Sequence, residues 1–132
     1  LDAEALSNPP AIFRMFAPAL PQDVVADDLL QGEETFQVGD ITIQVLFTPG
    51  HSPGGISLYI ASEKVVFSGD ALFREGIGRT DFPGSSYEQL MQSIEGRLFS
   101  LPDDTTVYPG HGPSTTIGHE RRHNPWVGHK TP

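Results

Sequence analysis

The pattern Pro-Gly-His-x-Pro occurs twice in this chain, at Pro49 to Pro53 within TPGHSPGG and at Pro109 to Pro113 within YPGHGPST. Each copy follows a short run of apolar and β-branched residues, QVLF before the first and TVY before the second. Proline cannot continue a central strand, and glycine permits the sharp turn after it. The pattern therefore predicts two strands, each delivering a histidine, His51 or His111, on a tight loop at its end. Between them, VVFSGD predicts a third strand that ends in Gly69-Asp70. One such loop by itself is ordinarily only a turn, and Ser-Gly-Asp by itself is ordinarily a turn closed by an Asx-type bond. All three in one short chain favour a shared site. Two imidazoles and a carboxylate are donors that suit zinc, and rigid turns pre-orient them.

The rest of the chain reads as a layered α/β or α+β domain. TFQVGDITIQVLF predicts a hairpin, with Phe36 and Val38 before a Gly39-Asp40 turn and a strand over Ile41–Phe47. ISLYIAS and KVVFSG predict two more strands, the VVF run implying burial on both faces. Ser85 and Glu88 form a candidate capping box for a helix whose apolar stripe is Tyr87, Leu90, Met91, Ile94 and Leu98. TTVYPG predicts a strand, and TIGHERRHN a helix of about two turns stopped by Asn124-Pro125. LDAEAL and AIFRMF predict two peripheral helical turns around a proline break.

Composition narrows the partners. Seventeen acidic residues against eight basic ones give a formal charge of −9, which repels phosphate backbones and argues against nucleic acid. The absence of cysteine excludes disulfides, thiolate ligands and a cysteine nucleophile, and fits a cytoplasmic location. No apolar run approaches the ~20 residues that span a bilayer, and Leu1 opens an acidic segment unlike a secretory leader.

TPGHSPGGISLY, VVFSGDALFREGIGRTDFPG and VYPGHGPSTTIGHERRHNP together resemble the C-terminal half of a metallo-β-lactamase-fold hydrolase, with the glyoxalase II-like branch as the nearest likeness. The resemblance runs from about Asp28 to Pro125. It implies an αββα sandwich with a binuclear metal site where strand ends meet. It implies that His51 is a ligand of the first metal, Asp70 the carboxylate bridging both, and His111 a ligand of the second. It further implies that Arg79, after Gly76-Ile77-Gly78, helps to bind substrate; pairing of Arg79 with Asp81 or Glu75 is an equal alternative. The implied reaction is hydrolysis of a thioester such as S-lactoylglutathione by a hydroxide shared between two divalent ions, zinc by default, with iron or manganese as alternatives. The implied partner is a small-molecule thioester, a glutathione conjugate among the candidates.

The family's upstream His-x-His-x-Asp-His motif has no match here, and the chain contains no His-x-His pair. The expectation is a partial domain over 1–132, lacking the N-terminal half that supplies the other ligands, with a sheet edge and an apolar face left open. That half would come in cis or in trans, and self-association is a further expectation. Two alternatives stand beside the hydrolase. One is a one-iron persulfide dioxygenase, which the chain resembles through GRTDF (Gly78 to Phe82), although such enzymes usually carry PAHD where this chain has PGHG. The other is an inactive fragment.

HERRHNPWVGH, from His119 to His129, also contains the His-Glu-x-x-His of zinc proteases. A short segment carrying Arg121 and Arg122, with Trp126 where metzincins need glycine, is a poor match to their long buried helix. His119 and His123 are therefore expected on the surface, with Glu120 holding a loop and Trp126 packing the C-terminal segment back onto the body.

Overall fold

The computed structural model describes Asp2 and residues 25–127. The helical turns expected within 1–16 and the tail containing His129 lie outside the described residues. The chain divides into two units, 1–30 and 31–132. In the first, residues 25–30 are irregular, with a bend at Asp27-Asp28.

The second unit is α+β. A six-stranded sheet runs in the order β1 (Thr35–Val38), β2 (Ile41–Phe47), β3 (Ile56–Ile60), β4 (Val65–Gly69), β7 (Thr106–Pro109), β8 (Thr115–Thr116). A small hairpin, β5 (Leu72–Phe73) and β6 (Gly76–Ile77), stands apart from it. Helix α1 covers Tyr87–Gly96 and helix α2 covers Ile117–His123. Among the described residues no helix is long and apolar enough to cross a membrane.

The predicted hairpin forms as expected, with Val38 opposite Ile41 across Gly39, whose φ is +60°. Strands β1 to β4 are antiparallel neighbours, whereas β4 and β7 are parallel, joined by a crossover that contains β5, β6 and α1. Strands β2, β4 and β7 consequently run in the same direction, and their C-terminal ends open on one end of the sheet. This topology is what lets three loops far apart in sequence meet.

Register assigns the two faces. Tyr59, Val66 and Val107 lie in one row across β3, β4 and β7. That row faces the core, in which Val66, Val107, Leu72, Leu90, Ile94, Leu98, Ile117 and Val127 are fully buried. The opposite row is Val45, Leu58, Phe67 and Tyr108. Here the VVF expectation needs correcting. Val66 is buried but Phe67 is 44% exposed, stacked on Tyr108 with ring centroids 5.7 Å apart. Among the described residues α1 and α2 pack on the Val66 face of β4, while the Phe67 face is buried at Val45 and exposed at Phe67 and Tyr108, so the apolar run does not mark a doubly buried strand.

Helix α1 also differs in detail. Its N-cap is Ser86, whose hydroxyl accepts from the Gln89 amide, and not Ser85. Leu90, Ile94 and Leu98 of the predicted stripe are buried, while Tyr87 is half exposed. Helix α2 is capped by Thr116, which accepts from the His119 amide, and it ends at Asn124 before Pro125 as expected. Trp126 does not pack the C-terminal segment down. It is 55% exposed, and its neighbour Val127 is the buried anchor.

Replacing Ile94 with alanine is expected to cost about 2–5 kcal/mol, because it leaves a cavity between α1 and the sheet. Tyr87→Ala, one side of the same helix away, is expected to stay within roughly 1 kcal/mol. Urea denaturation of the two variants checks the assigned face directly.

Candidate metal centre

All three predicted ligands lie at the sheet end formed by β2, β4 and β7. His51 follows β2 on the loop 48–55, Asp70 follows β4 directly, and His111 follows β7 after Gly110. The β4–β7 register shifts between Phe67 and Gly69, so the strand is irregular just before Asp70. Such an irregularity re-aims the side chains beside it. The Gly110 amide donates to the Gly69 carbonyl at 2.7 Å, which ties the Asp70 and His111 loops together.

Asp70 is the hub. Its Oδ1 accepts from His111 Nδ1 at 2.8 Å, and its Oδ2 lies 3.6 Å from His51 Nε2. His51 Nδ1 is 2.8 Å from the Arg79 carbonyl. A carbonyl can only accept, so Nδ1 carries a proton, and the ring is turned so that Nε2 faces Asp70. A backbone carbonyl on the far nitrogen is the arrangement that fixes the tautomer and orientation of a metal-ligating histidine. Metal–nitrogen and metal–oxygen bonds of ~2.1 Å place two ligands of one tetrahedral zinc roughly 3.4 Å apart. The His51–Asp70 separation of 3.6 Å is close to that. His111 differs: its Nδ1 bonds directly to the carboxylate and its side chain is 78% exposed.

The donors therefore suit a divalent ion in kind and fall short in number. Among the described residues no group of three or more His, Asp or Glu side chains is arranged to hold a metal ion. His111 is hydrogen-bonded to Asp70 instead of sharing an open point with it. A catalytic zinc commonly takes three protein ligands, and a binuclear site on Asp70 would have one histidine from this chain on each ion.

The His51 loop is clamped by α1. Ser93 Oγ donates to the Pro49 carbonyl at 2.7 Å, Ser85 Oγ donates to the His51 carbonyl at 2.8 Å, and the Ser86 amide donates to the Gly50 carbonyl at 2.8 Å. Gly50, at φ +138°, packs so closely on the helix that a Cβ there would lie 2.4 Å from the Leu90 amide nitrogen. Gly78 is equally constrained, since a Cβ there would lie 1.7 Å from the Asp70 carbonyl oxygen. The sequence reading did not find the serine clamp. The Ser85-Ser86 doublet was its signal: only one of the two can cap the helix, which leaves the other hydroxyl free for the loop.

Two aromatic rings border the centre edge-on, Phe82 beside His51 at 6.4 Å and Phe73 beside His111 at 6.1 Å. Arg79 is paired with Asp81 through two hydrogen bonds, Nε to Oδ1 at 2.9 Å and Nη2 to Oδ2 at 2.8 Å, and its guanidinium carbon lies 4.3 Å from the Phe82 ring centre. The Arg79 hydrogen bond holds the Asp81 carboxyl below its usual range. The pairing alternative for Arg79 is thus the arrangement present, with Asp81 as the partner.

The protease-like motif is organised differently. His119 and His123 lie against each other at a 40° tilt with centroids 4.8 Å apart, and His119 Nε2 reaches Glu75 at 3.3 Å. Glu120, the residue that would be a protease's base, is fully buried and bonded to the Glu75 amide, Thr115 and Asn124. It holds a loop, as expected.

The chain is similar to several known proteins. The chain is 50% identical over 101 residues to the probable metallo-hydrolase M6_Spy0554 of Streptococcus pyogenes, covering 76% of this chain and 44% of that protein. It is 45% identical over 101 residues to the hydroxyacylglutathione hydrolase GloC of Haemophilus influenzae, covering 76% and 48%. The chain thus spans about half the length of the curated relatives it matches. Among solved structures, the BLEG-1 B3 metallo-beta-lactamase superposes with a TM-score of 0.88 at 41% identity, over 96% of this chain and 61% of that one. ETHE1 from Myxococcus xanthus gives 0.72 at 43% identity, over 76% and 45%. TTHA1623 in a di-iron-bound form gives 0.80 at 39% identity, over 92% and 59%.

Ser93→Ala is expected to cost about 1 kcal/mol through loss of one buried hydrogen bond. Gly50→Ala should cost more, roughly 1–3 kcal/mol, because it adds both a clash and a strained backbone. Equilibrium urea unfolding ranks the two, and the reverse order would contradict the clamp. The model of the metallo-beta-lactamase superfamily matches residues 2–111, most of the chain, and the chain belongs to that superfamily.

Proposed function

We propose that this chain carries part of the active site of a metal-dependent hydrolase acting on thioesters, of the hydroxyacylglutathione hydrolase kind. The observation that carries the reading is the His51–Asp70 pair, with one imidazole nitrogen tied to a backbone carbonyl and the other facing a carboxylate oxygen at 3.6 Å. The GloC likeness favours a thioester over other substrates of the superfamily. His51 Nε2, Asp70 and His111 would hold the metal, zinc by default, although the di-iron neighbour keeps iron open. A bound divalent ion would supply Lewis acidity, polarising a carbonyl and acidifying water.

The chain's own residues supply the setting. The Arg79 carbonyl fixes the His51 ring. Asp70 offers one oxygen toward each imidazole, which keeps the two histidines at a set spacing. Phe73 and Phe82 set aromatic edges beside His111 and His51. The Arg79 guanidinium, held by Asp81 and Phe82, retains Nη1 for an anionic group of the substrate. The remaining metal ligands come, on this reading, from an N-terminal half of the domain in cis or in trans, and the open Phe67–Tyr108 face is where such a half would pack.

A second reading has a specific observation in its favour. ETHE1 from Myxococcus xanthus is 43% identical, and a persulfide dioxygenase would use one iron on the His51 and Asp70 positions. The PGHG sequence at His111 weighs toward the hydrolase.

The test is hydrolysis of S-lactoylglutathione with zinc present, by the chain alone and mixed with the first half of the Haemophilus influenzae relative. Turnover is expected only in the mixture, and Asp70→Ala is expected to lower it by at least ~100-fold. Turnover that survives Asp70→Ala would overturn the scheme. Oxygen consumption with glutathione persulfide and iron would move the site to the dioxygenase.

A further inference from the structure

We propose that Glu120 is a positioning residue for this site. From α2 it fixes the β5–β6 turn, and through that turn the backbone whose Arg79 carbonyl accepts from His51 Nδ1 and orients the ring. Glu120 is fully buried, where a carboxylate persists only if its oxygens are satisfied. Oε1 accepts from the Glu75 amide at 2.7 Å and from Asn124 Nδ2 at 2.9 Å, and Oε2 accepts from Thr115 Oγ1 at 2.5 Å. Asn124 Nδ2 is also 3.1 Å from the Gly76 carbonyl. Both sides of the turn are therefore held by α2, the amide of residue 75 and the carbonyl of residue 76.

The turn needs holding. Glu75 sits at φ +54°, a conformation that a residue with a side chain adopts reluctantly. A hydrogen bond from its own amide to a buried carboxylate stabilises that conformation directly. On the exposed side, His119 Nε2 lies 3.3 Å from Glu75 Oε1 and 3.9 Å from Glu120 Oε2.

The hairpin connects this anchor to the site. Asp70 lies just before it and Gly78-Arg79 just after it. Leu72 pairs with Ile77 and Phe73 with Gly76, and the Gly78 amide donates to the Ala71 carbonyl at 3.1 Å. Gly78 is packed against the Asp70 carbonyl with no room for a methyl group. A turn released at Glu75 thus loosens the base of the hairpin, and the Arg79 carbonyl with it. His51 then loses the acceptor that sets its tautomer. The catalytic consequence rests on the proposed reading of His51 as a metal ligand, whereas the positional claim is read on the metal-free chain.

The experiment is two-bond hydrogen–nitrogen correlation of the His51 ring, together with hydrogen exchange at the Glu75 amide, in the metal-free 132-residue chain and in E120A and E120Q. The original chain should show His51 protonated at Nδ1 and a slow Glu75 amide. E120A should show a mixed His51 pattern and Glu75 exchange roughly 10- to 100-fold faster, with Val66 in the core unchanged. E120Q should restore both, since its carbonyl can accept from Glu75 and Asn124 while its amide donates to Thr115 Oγ1. A folded E120A with an unaltered His51 pattern overturns the proposal and leaves Glu120 a stabilising residue only. If E120A does not fold, N124A removes the Gly76 anchor together with the Asn124 bonds to Glu120 and the Trp126 amide, and leaves the Glu75–Glu120 bond in place; a mixed His51 pattern supports the proposal and an unaltered one overturns it. An altered pattern in E120A, beside a chain that takes up no zinc, sustains the positional role while removing the metal reading.

Discussion

Parallel pairing of β4 with β7 is the constraint on which the site depends. Strands β2 and β4 already share a direction because β3 lies antiparallel between them, and the parallel step adds β7 to the set. Had β7 paired antiparallel, His111 would lie at the opposite end of the sheet from His51 and Asp70. The crossover that makes the parallel step possible contains the β5–β6 hairpin and α1, and it returns both to the same face of the sheet. The connection that brings the strand ends together therefore also supplies the parts that hold them.

Those parts act on backbone more than on side chains. Helix α1 grips the His51 loop through the Ser93, Ser85 and Ser86 bonds to three successive carbonyls, those of Pro49, His51 and Gly50. Helix α2 grips the β5–β6 turn through Glu120 and Asn124. Between the two grips lie His51, Asp70 and the Arg79 carbonyl. A site held in this way keeps its donor geometry without help from substrate, which is what preorganisation requires. It also explains why glycine stands at positions 50 and 78, where loop backbone is pressed against helix or neighbouring backbone.

Much of this was legible in the sequence, and the reasons are local. The Pro-Gly-His turns and VVFSGD announce themselves through strand-ending chemistry, so His51, Asp70 and His111 could be placed at strand ends before any coordinates. The β1–β2 hairpin and both helices followed from turn residues and periodicity. The misses are of another kind. Whether Phe67 is buried depends on what covers the second face of β4, which a run of apolar letters does not state. Ser85 and Ser86 are equivalent as letters, and the choice between them is made by the Gly50–Leu90 packing. Arg79 had two readings, substrate binding and pairing with Asp81 or Glu75, which spacing alone does not separate; the fold pairs its guanidinium with Asp81 and gives its carbonyl to His51. Trp126 and Val127 exchanged roles because the short C-terminal segment is anchored through Asn124, whose Oδ1 receives the Trp126 amide. His-Glu-x-x-His matched a motif by letters, while its glutamate faces inward to a turn.

The most direct test of the proposal that His51, Asp70 and His111 are part of one metal-binding centre is a zinc titration of the chain mixed with the first half of the Haemophilus influenzae relative, followed through the ring nitrogens of this chain's histidines. The account predicts that the Nε2 signals of His51 and His111 move together to metal-bound positions and that Asp70→Ala abolishes both shifts. Zinc that moves only His119 and His123, or that leaves His51 unchanged, would contradict it.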